Sequence, residues 1–532
     1  MVRYRLQRVV GVGALAFMSV VAAVGCSQST PGNVASRAVR VVSSQIPVSL
    51  DPARAVAAVD STAGSNFYVA LTRYGTRSGP DGTKVEDPTK VEPYLAGSWQ
   101  ISPDGKTYDF KLKPGLKFAS GAPVDAAAVV YSFKRLLASP GAYYITAGID
   151  GLIKAVTATD DYTVRFVLSQ PQPAVLKAWG TAVAAIVDPT VVSSKPKDWL
   201  SNHEAGSGPF QLKSYQPGQS LTMVRRPGFE EWAGWTTDAE EVDISYVGDD
   251  SSLLLKARSA ADVTVGLSNQ AADSLRTGSK AIRVVGFDAP LFESLLLSWS
   301  RPPFNSLAVR RALTLAVPYD DLLKGPGAGR GQRFYGPIPA NIPGYDRALG
   351  APAETNVAEA KRILEKAGVS IPVKATITVD QGSTTEQQLA QIIQSEAKEA
   401  GFDFEIRVLT SSQYSEVIYG DGFEAVLRVD SPAVADAGFF LGYSMAYKQP
   451  GGFSNPGLIN IPKADELLAQ ARATQDKEKQ SRLYSRITEL WNAQAPAVPL
   501  FTVGQSVALS NSLKSFKYTL GNTMAMYEWG LK

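Results

Sequence analysis

Residues 101–137 read ISPDGKTYDFKLKPGLKFASGAPVDAAAVVYSFKRLL, and this string frames the rest of the chain. Pro103-Asp104-Gly105 is turn chemistry: a fixed φ, a side chain that accepts from nearby amides, and a residue free to take positive φ. Tyr108, Phe110 and Leu112 then alternate with Thr107, Asp109, Lys111 and Lys113, the two-residue period of a half-buried strand. Pro114-Gly115 ends the strand and Ser120-Gly121 makes a second turn. Asp125 is placed to cap a helix whose Val129, Val130, Phe133, Leu136 and Leu137 share one face. The segment therefore predicts turn, strand, turn, helix, and it contains no catalytic pattern.

The whole chain has 532 residues, too many for one hydrophobic core, so two or three domains are expected. A hydrophobic share of 45% against 19% charged residues is that of a folded globular protein and not of a disordered one. A net charge of +3 over this length gives no footprint for nucleic acid or another polyanion.

Arg3, Arg5 and Arg8 precede an apolar run over 9–24, and Ala23-Val24-Gly25 leads into Cys26, the one cysteine. This is the three-part pattern of a secretory signal peptide, and the run is short for a spanning anchor. The end of it resembles a bacterial lipobox, with Ala23 where Leu is usual. That resemblance implies that Cys26 carries a lipid and starts the mature chain. Residues 27–37, rich in Ser, Gly, Pro and Asn, read as a flexible tether.

Further along, 65–74 reads as helix and the polar 78–87, with Pro80-Asp81-Gly82, as a loop. Residues 157–168 read as a hairpin turning at Asp160-Asp161, and 241–247 as another strand. Residues 291–299 are apolar enough for a buried strand, and Asn305 is the expected cap of a helix carrying Val309, Ala312, Leu313 and Ala316. Val373, Ala375, Ile377 and Val379 alternate as a strand. Ser383 to Glu386 is a capping-box pattern, Leu389, Ile392, Ile393 and Ala397 share a helical face, and Gly401 stops it. Phe402, Phe404, Ile406 and Val408 alternate again, so this region predicts a βαβ unit with parallel strands. A helix capped at Asn356, with Glu359 three residues on, ends at Gly368; two more occupy 467–473 and 480–492. Residues 496–507 form an apolar strand.

These pieces, in this order, resemble the family 5 extracytoplasmic solute-binding proteins, the dipeptide- and oligopeptide-binding receptors of bacterial ABC importers. The resemblance is carried by RVVSSQIPVSLDPA, VEPYLAGSW, the 101–137 string, Ala205-Gly206-Ser207-Gly208-Pro209-Phe210 with QLKSYQPGQSLTMVRRPGF, RPPFNSLAVRRALTLAV and PAVPLFTVGQSV. It implies an α/β, two-lobed periplasmic-binding-protein-like fold of type II, cluster C, with an extra α/β subdomain. Lobe I would span 38–290, with the subdomain at about 65–200; lobe II would span 291–499, and 500–532 would return to lobe I.

The resemblance also implies a site. Val59, Asp60 and Ser61 match the stretch that lends main-chain hydrogen bonds to a bound peptide. Val426-Leu427-Arg428-Val429-Asp430 matches the family's Gly-Trp-x-x-Asp, with Val426 for the Gly and Leu427 for the Trp, and Phe439-Phe440 supply the following aromatics. Asp430 is thus the expected partner of the peptide ammonium, with Asp436 as the alternative. Arg428, Arg407, Arg330 and Arg333 are candidates for the peptide carboxylate by charge alone. The implied partners are a peptide, the permease and ATPase subunits, and the membrane through the lipid, with no nucleic acid; the receptor is expected to be a monomer.

The same fold accepts an oligosaccharide, an opine-like amine, a metal chelate or haem, so these cargoes stay open. No cofactor is expected. Bare metal is disfavoured by chemistry, since His203 is the one histidine and Cys26 is taken by the lipid. A secreted hydrolase is disfavoured too. There is no Gly-x-Ser-x-Gly, and Pro196 spoils the helix that Ser194-x-x-Lys197 would need. The Gly-rich 324–333 lacks Gly-Lys-Ser/Thr and reads as a plain loop.

Overall fold

The computed structural model describes residues 38–54, 61–139, 142–146, 149, 151–235, 237, 239–350, 354–420, 422–430, 434–445, 459–520 and 524–532. Two long strands organise it, Ile282–Leu297 and Ala497–Ser510, paired antiparallel. They lie at the middle of a ten-stranded sheet. On one side of the pair stand Ala425–Asp430, Val373–Asp380 and Phe402–Leu409. On the other stand Val263–Val265, Val39–Ser43, Glu241–Tyr246, Ser220–Arg225 and Phe210–Gln216.

Both long strands pass from one apolar core to another. Val285, Phe287, Ala289 and Leu291, with Val507 and Leu509, belong to a core built on Val39, Val41, Val242 and Ile244. Leu295, Leu297, Val498, Leu500 and Phe501 belong to a second core, with Ile377, Val379, Leu389, Ile393 and Leu427. Between the two the ladder breaks: the register shifts between Asp288 and Phe292, and again between Glu293 and Ser294. Ladder hydrogen bonds stiffen a strand pair, so this break is the weak point between the cores.

The parallel βαβ expectation holds. Val373–Asp380 pairs parallel with Phe402–Leu409 through the helix Thr384–Glu396. The Ser383 hydroxyl accepts from the Glu386 amide at 3.2 Å, but the Glu386 carboxylate reaches the Asp380 amide and not the cap residue. Asn356 caps Val357–Lys366 by accepting from the Glu359 amide at 2.9 Å.

The 101–137 reading is also observed. Thr107–Leu112 is a strand, and Asp125 caps Ala126–Leu137 by accepting from the Ala128 amide at 2.9 Å. The strand joins a four-stranded sheet with Ala96–Ile101, Thr163–Leu168 and Ile153–Asp160. Its core is aromatic: Trp179 stacks on Phe166 at 4.3 Å between centroids, and Phe133 meets Phe166 edge-on at 4.7 Å. Asp51, in the Leu-Asp-Pro turn, is 1% exposed at its side chain and forms a two-pronged ion pair with Arg135 of the helix.

Two local expectations are corrected. The helix expected over 65–74 is Ser61–Phe67, and Thr72–Ser78 is a strand pairing with Lys84–Pro93, so the loop narrows to Pro80–Gly82. Pairing across that turn outweighs the helical spacing of the apolar residues before it. Asn305 does not cap the next helix. Its amide donates to Arg301 O in the preceding turn, and Leu307–Ala316 starts after Ser306 without a side-chain cap bond.

The Gly-rich loop lies against the second long strand at the break. Thr502 N donates to Gln332 O at 2.9 Å, and Gln332 N donates to Thr502 Oγ at 2.8 Å.

Candidate functional site

Asp430 ends the strand Ala425–Asp430 and is 5% exposed. Side chains alternate along a strand, so Val426, Arg428 and Asp430 face one way, and Leu427 and Val429 the other. Across the ladder Phe292 pairs with Asp430 and Ser294 with Arg428. Arg428 donates to Asp430 Oδ1, and Ser294 Oγ donates to Oδ2 at 3.2 Å. Burial pushes the Asp430 carboxyl above the usual carboxylate range, opposed by the Arg428 charge and by the Ser294 bond.

An aromatic group adjoins it. The Phe292 ring meets Phe334 and Phe440 edge-on, at 5.5 and 5.3 Å between centroids. Of the aromatic pair expected after Asp430, Phe440 is in this group, and Phe439 turns into the aromatic core around Trp179. Leu427 is fully buried in the core shared with Leu389 and Ile393, so it lines no open surface; Val429, by contrast, is 40% exposed.

Asp436 is engaged otherwise. Its Oδ1 accepts from Gly438 N and Phe439 N at 3.0 and 3.2 Å at the start of Ala437–Met445, and Oδ2 accepts from Lys177 Nζ at 3.1 Å. Arg407 bonds Thr378 Oγ and Gly422 O, Arg330 bonds Asn269 and Asp273, and Arg333 bonds Asp320. Ser61 is the first residue of Ser61–Phe67. Val59, Asp60 and Cys26 lie outside the described residues.

Sequence reasoning missed Phe292, Ser294, Phe334 and two further carboxyls, Glu293 and Glu386. Glu293 is 2% exposed, and burial, with Glu386 and Asp430 nearby, pushes it up to about 8. Burial likewise pushes Glu386 up to about 7. The one available signal was a lone acid in an apolar strand, Leu291-Phe292-Glu293-Ser294-Leu295, which costs folding energy unless it has a use. Among the described residues no group of three or more His, Cys, Asp or Glu is arranged to hold a metal ion.

Residues 90–452 match the bacterial extracellular solute-binding proteins, family 5. The chain belongs to that family, whose members are substrate-binding proteins of ABC transporters working outside the cytoplasm, not enzymes. It is 30% identical over 477 residues to the probable D,D-dipeptide-binding periplasmic protein DdpA of Escherichia coli K12, covering 89% of this chain and 90% of that one. Its fold is similar to the periplasmic binding protein DppA of Helicobacter pylori solved with the peptide STSA, with TM-score 0.81, 24% identity, and 93% of this chain and 98% of that one covered. It is also similar to AgaA of A. tumefaciens R10 solved with agropinic acid, with TM-score 0.79, 22% identity, and 93% and 99% covered. The fold is therefore the type II periplasmic-binding-protein fold.

Proposed function

We propose that this chain is the lipid-anchored receptor of an ABC importer for di- and oligopeptides, captured between lobe I (38–290 and 500–532) and lobe II (291–499). Peptide binding by DdpA and by DppA supports the reading. The observation that carries it is Asp430. A carboxylate has about four acceptor positions, and Arg428 and Ser294 engage one on each oxygen, which leaves room for an ammonium. An ammonium there offsets the burial that pushes the Asp430 carboxyl up. The rings of Phe292, Phe334 and Phe440 supply an apolar wall for the first side chain. The break in the two long strands is the hinge about which the lobes close. Cys26 holds the receptor to the membrane, and Val59, Asp60 and Ser61 lend main-chain bonds to the peptide.

A second cargo class is favoured by one contact. Arg428 already neutralises Asp430, so a cargo without a free ammonium, such as an opine-like acid, meets a site of no net charge. Calorimetric titration of a di- to pentapeptide set, free and N-acetylated, separates the two. The peptide reading expects acetylation to weaken binding by about a hundredfold, near 3 kcal/mol, and Asp430→Asn to remove that discrimination. Heat from the acetylated peptides equal to that from the free ones, or none from either set, refutes it. For the anchor, metabolic labelling with a fatty acid marks the chain, and Cys26→Ala abolishes the label.

A further inference from the structure

On the sheet face opposite Asp430 lies a cavity of about 190 Å³. Glu293, Val429 and Phe501 are paired across three adjacent strands, share that face and line it. Its rim comes from Ser268 and Asn269, at the start of the helix Asn269–Gly278, and from Ser383 and Thr385, at the start of Thr384–Glu396. Arg330 and Gln505 complete the polar lining. Glu293 Oε2 is buried without a hydrogen-bond partner.

The cavity thus offers opposite chemistries at its two ends. The first amides of a helix have no intrahelical acceptor and carry partial positive charge. Two such helix starts attract an anion, with the Arg330 guanidinium, itself paired to Asp273, at their edge. Glu293 Oε2 is a buried acceptor lacking a donor, and its carboxyl, which burial pushes up to about 8, gives up its proton to an arriving cation. A simple anion leaves Glu293 unserved or repels it, and a simple cation is opposed by the two helix starts. A molecule carrying both charges a few ångströms apart serves both ends. The space is small, about 190 Å³, which favours a ligand of few heavy atoms.

We propose that this cavity is a second ligand site for a small α-amino acid zwitterion, its ammonium on Glu293 and its carboxylate on the amides at 269–270 and 384–385 with Arg330. The site takes residues from both proposed lobes and from both long strands beside the break, so occupancy biases the angle between the lobes. It shares no side chain with Asp430, and its failure leaves the peptide reading standing.

Equilibrium dialysis of labelled alanine against the full chain tests it. One saturable site per chain is expected, kept in Asp430→Asn and weakened about tenfold or more by Glu293→Gln. Acetate and methylamine, each carrying half of the zwitterion, should fail to displace alanine at about a hundredfold excess. If Glu293→Gln does not fold, Thr385→Val, which replaces a hydroxyl at the anion end by a methyl of the same size, must weaken alanine instead. Absence of a saturable site up to about 10 mM, displacement by either half alone, or loss of binding in Asp430→Asn with Glu293→Gln unaffected overturns the proposal.

Discussion

Gly331 tests whether the Gly-rich loop is fastened to the long strands at their break. Its φ is +96°, and a Cβ there would stand 1.6 Å from Thr502 O and 2.8 Å from Thr502 C. Both are backbone atoms of a strand held in the ladder, so the strand cannot give way cheaply. Gly331→Ala must therefore lift the loop. Lifting it loses Thr502 N to Gln332 O and Gln332 N to Thr502 Oγ, each worth about 1 kcal/mol, and the left-handed backbone adds about 1–2 kcal/mol. The expected loss is about 3–4 kcal/mol. Gly329, in the same loop with φ +67°, has no atom within 4 Å of its would-be Cβ. Gly329→Ala thus incurs the backbone cost alone, about 1–2 kcal/mol. For a chain this long, about 1 kcal/mol moves the thermal midpoint by roughly 1 °C, so calorimetry should give drops near 3–4 °C and 1–2 °C. Equal drops in the two variants would show that the loop is not fastened to Thr502.

Three further outcomes follow from burial and charge. Glu386 keeps its proton to about pH 7 in the folded chain and loses it near 4.5 when unfolded, so stability falls as pH rises between those values and levels off above. Glu386→Gln keeps the acceptor for the Asp380 amide and should make the fall of the thermal midpoint between pH 5 and 8 shallower, the rest coming from Glu293, with a gain of up to about 3 kcal/mol at pH 8; an unchanged slope refutes the assignment. Asp51→Asn leaves Arg135 half-paired under the Leu-Asp-Pro turn and should cost about 3 kcal/mol in denaturant unfolding, an estimate that a loss under 1 kcal/mol would overturn. Arg226→Met should cost about 3–5 kcal/mol by the same assay, because buried Arg226 bonds Gly208 O, Phe210 O and half-buried Glu204; a neutral result would mean those acceptors find water.

The fold was legible wherever one periodicity ran against clean punctuation. Asp125, Asn356 and Ser383 are caps at the expected positions, because each precedes an amphipathic run without competing partners. The reading slipped at 65–74, where the strand Thr72–Ser78 is decided by Lys84–Pro93, a partner that a local window does not contain. Asn305 slipped for a similar reason, since its place depends on the turn from Arg301. At the site, family likeness pointed to residues on one strand. Cross-strand register, which brings Phe292 to Asp430 and Glu293 to Val429, is set by tertiary pairing and was not readable from spacing.

The two long strands also constrain how this chain can be divided. Each carries side chains for both cores on one unbroken backbone, so the first core draws on both ends of the chain while the whole of the second falls within 295–501. A fragment ending near 290 lacks Val507 and Leu509 and leaves its core open, whereas one running from about 291 to 501 carries the second core entire. An exchange between relatives made with a single cut near 290 therefore leaves the first core open and yields sticky products. A module exchange that keeps both cores whole needs two cuts, one in each long strand.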